Sequence, residues 1–596
     1  MSVFRTISHR ADFCVIGGGL SGICAAIEAA RHGIKVALMQ DRPMLGGNAS
    51  SEIRRWVLGA HGKNNGETGL IEEIFLNNYY RNPLKNYSIW DSIMWEIASR
   101  EKNITLIMNC SCHDADIKTS TAGKRIISVT GWQTTTQVFH RIEAPIFADC
   151  SGDSVLAPLS GAEFRMGHEA RSEYGESIAP LHADKKTMGM TLGFHYRETD
   201  SPKKYIPPSW AEKYTAEMLP HRNPDLKKDS TDFWYLELGG VRDGIADTEE
   251  VRDELLAVSY GMWDYLKNDP ANREKFANYD IDWIGFLPGK RESRRYTGDY
   301  VLSQKDVSAG GKFDDLIAYG GWTMDDHHPE GFRTAEEPTI FHPAPSPFGI
   351  PYRCVYSRNV ENLFCAGRNI SVSHVALSST RVMCTCAMLG QAVGAAALLA
   401  ARHGETPRGI YRNYTGELQN ILMDDDCWLP GFKRQASALS MNARLQSNAA
   451  KASGNGADVL RNGHDRPIGN EDNGQFFKIG QSAEYSFDNP VFIKRTRFVF
   501  DSDLNRETQA EGSIHKRPMY ACHYLDTQPT YVPKTMTRDF RLTITLANGK
   551  IKTHEVKNNY QRLVYPEINE EVKSIKFEPL STWGNNEAHV FSFELQ

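Results

Sequence analysis

The 596-residue sequence has no long apolar run, no surplus of one charge and no internal repeat, and each absence removes a class of protein. The longest apolar stretch, Met388 to Ala401, is rich in alanine and falls short of the roughly 20 residues a membrane span needs. A buried helix is expected there, and no membrane partner. Lysine and arginine number 68 against 74 aspartates and glutamates, a net charge of −6 with both signs interspersed. The electrostatic footprint of a nucleic-acid binder is therefore missing. The opening MSVFRTISHR lacks the apolar core of a secretory signal, so a cytoplasmic protein is expected. Eleven cysteines, an odd number in a long chain, fit reduced thiols better than a disulfide framework.

What is present begins almost at once. DFCVIGGGLSGICAAIEAARHGIKVALMQD, Asp12 to Asp41, reads as strand, tight turn, helix, glycine cap and second strand. Gly17, Gly19 and Gly22 fit G-x-G-x-x-G. The first permits the turn, the second lets a pyrophosphate approach the backbone, and the third lets helix and strand pack closely. The helix that opens at Leu20 and Ser21 offers its N–H groups and partial positive charge to the phosphates. The spacing thus predicts a dinucleotide-binding unit. A ribose-binding carboxylate is expected at the end of the second strand, where Gln40 and Asp41 stand, either of which can accept from a hydroxyl. No second G-x-G-x-x-G follows, so a separate nicotinamide-nucleotide domain is not expected.

Three further segments choose between dinucleotides. RPMLGGNASSEIRRW, Arg42 to Trp56, places Gly46, Gly47 and Asn48 just after the second strand and adds Arg54 and Arg55. APIFADCSGDSVLAPLSGAEF supplies a strand and turn with Asp149, Gly152 and Asp153. NLFCAGRNISVSHVALSSTRVMCTCAMLGQAVGAAALLAARHG reads as a strand, a turn at Gly367 and Arg368, and a long small-residue helix. Together they resemble the FAD-binding elements of the glutathione-reductase-like flavoprotein superfamily. LGGNASSEIR, LPGKRESRRYTGDYVL and SSTRVMCTCAMLGQAVGAAA more closely resemble the bacterial FAD-dependent oxidoreductase family, over about residues 10–435. The resemblance implies FAD, held by the glycine turns and their neighbours, with the C-terminal helix facing the flavin ring.

The expected fold class follows. An α/β Rossmann-like FAD-binding domain, residues 1–165 and 341–435, is interrupted by an α+β substrate domain over 166–340. The first part carries helices at GLIEEIFLNNYY and SIWDSIMWEIASREKN and a β-meander broken at STAGK. After SMNARLQSNAAKASGNGAD the pattern changes to short alternating strands, with a hairpin signal at Ala547-Asn548-Gly549. Residues 440–596 look like a jelly-roll β-sandwich of the galactose-binding or discoidin kind. With no signal peptide to bring it to glycans, it is expected as a packing or homo-oligomerisation wing rather than a carbohydrate-binding module.

The resemblance also narrows the chemistry. Oxidation of a C–H by a flavin needs the donor held close to the ring and a base for the accompanying proton. His374 is a candidate base and Arg381 a candidate oxyanion or flavin stabiliser, both at the entry to the C-terminal helix. His61, on a glycine-flanked loop, can approach the ring, and Arg291, in a basic segment after a Pro-Gly turn, suits an anionic ligand. Asp325, Asp326, His327 and His328 imitate a metal cluster, but adjacent residues rarely converge on one ion. The segment is expected as a polar lid loop, and no metal site is expected. The close cysteine pairs Cys110/Cys112 and Cys384/Cys386 are expected as buried thiols. The expected activity is hydride transfer between FAD and a small polar substrate, with a sugar or uronate leading. The alternatives are a flavin reductase or hydroxylase, and a carbohydrate-binding protein whose FAD is structural or lost.

Overall fold

Phe13–Ile16 and Val36–Met39 are buried at every residue, the pattern of strands covered on both faces of a parallel sheet. In the computed structural model, which describes residues 3–120, 123–222, 233–449, 456–506 and 519–596, they are the middle of that sheet. Thr121 and Ala122 of the STAGK break and Ala450 to Asn455 of the expected domain boundary lie outside the described residues. Five strands run parallel in the order Leu363–Cys365, Ile146–Asp149, Phe13–Ile16, Val36–Met39, Ile104–Ile107. The C-terminal strand of the FAD-binding segment thus lies two places from the N-terminal one, with Leu363 opposite Phe147 and Phe13 opposite Ile146.

The helix Leu20–Arg31 packs against Met383–His403, and small residues make this possible. A Cβ added to Gly390 would stand 2.0 Å from the Ser21 carbonyl oxygen. Met383–His403 has the length and hydropathy to cross a membrane, yet 94% of its most apolar window is buried inside the protein. A four-stranded sheet flanks this core: Cys110–Ser120, Gly123–Gln133 and Val138–Glu143 form the expected antiparallel run. Thr6–Arg10 adds a parallel fourth strand that its polar sequence does not announce.

The chain divides into two units. The first holds Met1–His61, Leu84–Leu418 and Thr508–Pro529, so it takes in the whole substrate segment and the FAD-binding segments except residues 62–83 and 419–435. In the substrate segment the 21-residue helix Thr248–Asn268 buries Leu255, Met262, Trp263 and Leu266 against Phe194 and Phe233. Cys522 joins that cluster, and Cys522–His523 pairs in parallel with Phe194–Glu198. This short strand comes from the region expected to be wholly part of the C-terminal β domain.

The second unit holds Gly62–Pro83, Gln419–Glu507 and Thr530–Gln596. Its eight-stranded sheet is built on the 18-residue strand Ala483–Phe500, whose first half pairs Glu567–Thr582 and whose second half pairs Glu587–Leu595. Phe498, Phe540, Phe577 and Phe593 pack ring on ring at its centre. The helix Leu70–Arg81, expected within the FAD-binding segment, belongs here instead. Arg506 makes a two-pronged ion pair with its Glu72, at 2.8 and 2.6 Å, and Tyr560 stacks on its Tyr80 at 4.0 Å.

Candidate active site

The glycine turns, the strand end at Asp149 and the start of Met383–His403 surround a cavity of about 690 Å³ in the first unit. At one part of its wall the backbone itself is the functional surface. Gly17 has φ +99°, and a Cβ there would stand 2.6 Å from the Cys150 carbonyl carbon. Gly19 caps Leu20–Arg31 with no side chain bonded to the first-turn N–H groups, so these donors are left for a ligand. Gly46 and Gly47 bring the second turn against the first, with Gly46 N donating to Gly18 O at 2.8 Å. Leu20, Ser21, Asp41, Arg42, Asn48, Gly152, Gly367 and Arg368 line the same cavity. Gly22 does not line it; a Cβ there would meet Gly17 O at 1.8 Å, so this glycine serves the packing of helix on turn.

A second group of side chains lines the cavity near the entry of the C-terminal helix. Trp234, Trp322 and Phe341 supply aromatic wall, and Arg291, Asp325, His327 and Arg381 supply charge and a base. His327 Nδ1 lies 2.8 Å from Glu237 Oε2, and Arg291 Nη1 lies 3.2 Å from the same oxygen. Burial works against the Glu237 carboxylate, but Arg291 and His327 outweigh it and lower its pKa to about 2. Burial lowers the His327 pKa, with Glu237 opposing and Arg291 assisting. A neutral imidazole results, donating from Nδ1 to Glu237 and keeping Nε2 as its acceptor. The buried Nε of Arg381 has no hydrogen-bond partner among the described residues; burial lowers its pKa, and Asp325 and Glu237 oppose.

Several expected site residues stand elsewhere. His374 does not line the cavity: it is 2% exposed, against Glu292 and Asp326, 2.9 and 3.7 Å away. His61 packs against Trp322 of the aromatic wall, ring centroids 4.2 Å apart and tilted by 31°, and is not a lining residue. Arg54 has φ +54°, which sends its guanidinium between Tyr87 and Trp283 at 4.4 and 4.5 Å, while Arg55 takes the place on the cavity wall. Gln40 lines the cavity, but its Oε1 accepts from Gly18 N at 2.7 Å and its Nε2 donates to Met44 O at 3.0 Å. Its amide braces the turn, and the neighbouring Asp41 lines the same cavity and can accept from a ribose hydroxyl. Asp149 is buried, accepting from Ser151 N, Leu156 N and the Tyr296 hydroxyl at 3.0, 2.8 and 2.7 Å. It pins the third turn and presents no oxygen to a cofactor.

Arg291 lines the cavity while donating to Thr191 Oγ1 and the Trp234 carbonyl at 2.6 and 3.0 Å, so it fixes the Glu237 end of the wall. Asp153, held by Lys290 and Arg368 at 2.9 and 2.6 Å, is another lining residue. The expected lid is a strand, Met324–His327, paired antiparallel with Thr339–His342. Its alternation turns Asp325 and His327 to the cavity and Asp326 away. Nothing in the sequence pointed to Glu237, Trp234 or Trp322: the first two lie in DFWYLELGG, of ordinary strand composition, and Trp322 follows a Gly-Gly between two strands. All eleven cysteines are free. Burial pushes Cys110, Cys112 and Cys386, which line the cavity, up to about 12, so they are thiols and not thiolates at neutral pH.

Comparison with known proteins adds a family and little else. The model of the family described as FAD dependent oxidoreductase matches residues 12–422. No curated protein matches. Among solved structures, the geranylgeranyl bacteriochlorophyll reductase-like protein of Thermoplasma acidophilum is 10% identical, over 70% of this chain and 86% of that one, with a TM-score of 0.30. The flavin-dependent brominase Bmp2 is 10% identical, over 70% and 86%, with a TM-score of 0.32. The family 32 carbohydrate-binding module of Streptococcus pneumoniae EndoD is 14% identical, over 27% of this chain and 99% of the module, with a TM-score of 0.20. Scores this low carry no mechanistic weight.

Proposed function

Because the chain belongs to the FAD dependent oxidoreductase family, which makes it an FAD-dependent enzyme, we propose that it moves a hydride between the flavin and a small polar substrate, with sugars and sugar acids as the leading class. The cavity fits the cofactor: an uncapped helix start and a turn with no room for a Cβ suit a pyrophosphate, and Asp41 suits a ribose. When bound there, FAD supplies a two-electron acceptor or donor and passes the electrons to a second partner.

The observation that carries the reading is His327 on the cavity wall with the buried Glu237 behind its Nδ1. Removing a hydride from a carbinol carbon requires the hydroxyl proton to leave, and a neutral imidazole held by a buried carboxylate is suited to take it at Nε2. Glu237 fixes the tautomer and balances the imidazolium that forms, and Arg291 keeps Glu237 ionised. Arg381, which lines the cavity with its Nε unpartnered among the described residues, suits an anionic group such as a sugar carboxylate. Trp234, Trp322 and Phe341 offer apolar faces to the C–H side of a sugar ring and exclude water.

The test is an anaerobic titration of the purified yellow protein with sugars, sugar acids and polyols. Bleaching by one of them, faster for acids than for their neutral parents, is the expected result. A flavin that none of them bleaches, yet that reoxidises with an enone or O₂ after dithionite, overturns the proposal in favour of a reductase or hydroxylase.

A further inference from the structure

Behind the strand Met324–His327, on the face turned from the cavity, Asp326 meets two histidines from distant parts of the first unit. One ligand atom from each of His168, Asp326 and His374 lies within 4.8 Å of the others. His374 Nε2 is 3.7 Å from Asp326 Oδ1, and the two imidazole centroids are 3.9 Å apart. Each ring has a carboxylate behind it: Asp184 Oδ1 lies 2.6 Å from His168 Nδ1, and Glu292 Oε2 lies 2.9 Å from His374 Nδ1. Neither nitrogen of His374 is aligned for a hydrogen bond in the ring plane.

A carboxylate at Nδ1 holds the proton there and leaves Nε2 with a lone pair, the arrangement that prepares a histidine to bind a metal. His168 is held in this way by Asp184, and Glu292 stands beside Nδ1 of His374, whose Nε2 lies 3.7 Å from Asp326. Three carboxylates, Asp184, Glu292 and Asp326, surround the two rings. The nearby Arg295, 3.4 Å from Glu292, is also committed to Glu169 at 3.0 Å and to the Val372 carbonyl at 2.9 Å. With one shared arginine against these carboxylates, the half-buried cluster can accommodate a bound cation.

We propose that His168, His374 and Asp326 form a binding site for a divalent transition-metal ion. Two imidazoles and one carboxylate, with no thiolate, suit zinc, manganese or ferrous iron. Zinc bonds of about 2.0–2.1 Å set tetrahedral ligand atoms roughly 3.4 Å apart, so the observed separations close with small side-chain rotations. The Asp326 side chain is 34% exposed, which leaves the fourth position open to water. Asp326 lies between Asp325 and His327 on one strand, so a metal on the outer face braces the strand that carries the base. The site requires nothing of the redox reading. No spacing in the sequence brings these three residues together: the aspartate sits in the DDHH segment, but its partners come from a turn far upstream and a helix downstream.

The experiment uses the full-length holoenzyme, stripped with a chelator, loaded with zinc, dialysed and assayed for zinc against FAD. About one zinc per chain is expected for the native protein. His168→Asn and Asp326→Asn are each expected to weaken zinc binding by at least about tenfold while keeping the flavin spectrum. Native protein that retains no more zinc than His168→Asn overturns the proposal. X-ray absorption at the zinc edge of the native protein, which needs no variant, is expected to show two imidazoles and oxygen ligands. A thiolate shell, or fewer than two imidazoles, overturns it as well.

Discussion

At the scale of residues, the difference between His327 and His374 is one of surroundings and not of type. Both are buried and both face a buried glutamate, but only His327 opens on the cavity. As the base, His327 must be neutral. Its folded pKa is lowered from 6.5, burial being the largest cause. The rate kcat/KM is therefore expected to rise with pH through a value below 6.5 and to stay level across neutrality. His327→Gln is expected to cost about 10²- to 10⁴-fold in kcat/KM and to abolish the acid limb; an acid limb that survives in the variant would rule His327 out. The sequence could not separate the two histidines, because what separates them is Glu237, from a short strand with no motif. The glycines were legible because each answers a backbone constraint, such as the +99° φ at Gly17. Arg54 and Arg55 are adjacent and identical in type, and only a left-handed backbone at Arg54 decides which one faces the ligand.

At the scale of elements, the long helix Met383–His403 was legible from its small-residue composition, and the reason is visible at Gly390. In an exposed helix, replacing glycine by alanine stabilises by about 1 kcal/mol. Here the added methyl would lie 2.0 Å from the Ser21 carbonyl oxygen, and overpacking of that kind costs about 1–3 kcal/mol. Gly390→Ala is expected to lower the melting temperature and, since Ser21 lines the cavity, to speed FAD release. A higher melting temperature would show that the two helices part without cost. The strand Met324–His327 is the opposite case. Its TMDDHHPEG sequence is polar and ends in Pro-Glu-Gly, the composition of a loop, but tertiary pairing with Thr339–His342 makes it a strand. Polar residues are kept on both of its faces because one lines the cavity and the other meets the histidine cluster.

At the scale of the whole molecule, composition marked the change to β structure near residue 440 but could not show which unit each segment joins. The helix Leu70–Arg81 has its ion pair to Arg506 and its stacking on Tyr560 in the second unit. A chain cut after residue 435 is thus expected to leave this helix without those partners and to be recovered as aggregate; a soluble, yellow, cooperatively melting fragment would contradict it. The second unit also carries a pH signature. Burial disfavours a charged His589, but Asp472 and Asp501, 2.7 and 3.0 Å from its ring nitrogens, raise its pKa to about 9. A raised folded pKa gives stability that is complete below 6.5 and lost as pH rises through about 9. The denaturation midpoint of this unit is expected to fall across that window, and His589→Asn is expected to flatten the dependence.

The exchange of segments between the units has a consequence for how the protein is made. The second unit needs residues 62–83, synthesised early, while the first takes in Cys522–His523, synthesised near the end. At about 5–20 residues per second, the helix Leu70–Arg81 leaves the ribosome roughly 20–95 s before its partners Arg506 and Tyr560 do. For that time the partners that cover it in the second unit do not yet exist, and neither unit is a contiguous stretch that recombination could exchange as an intact cassette.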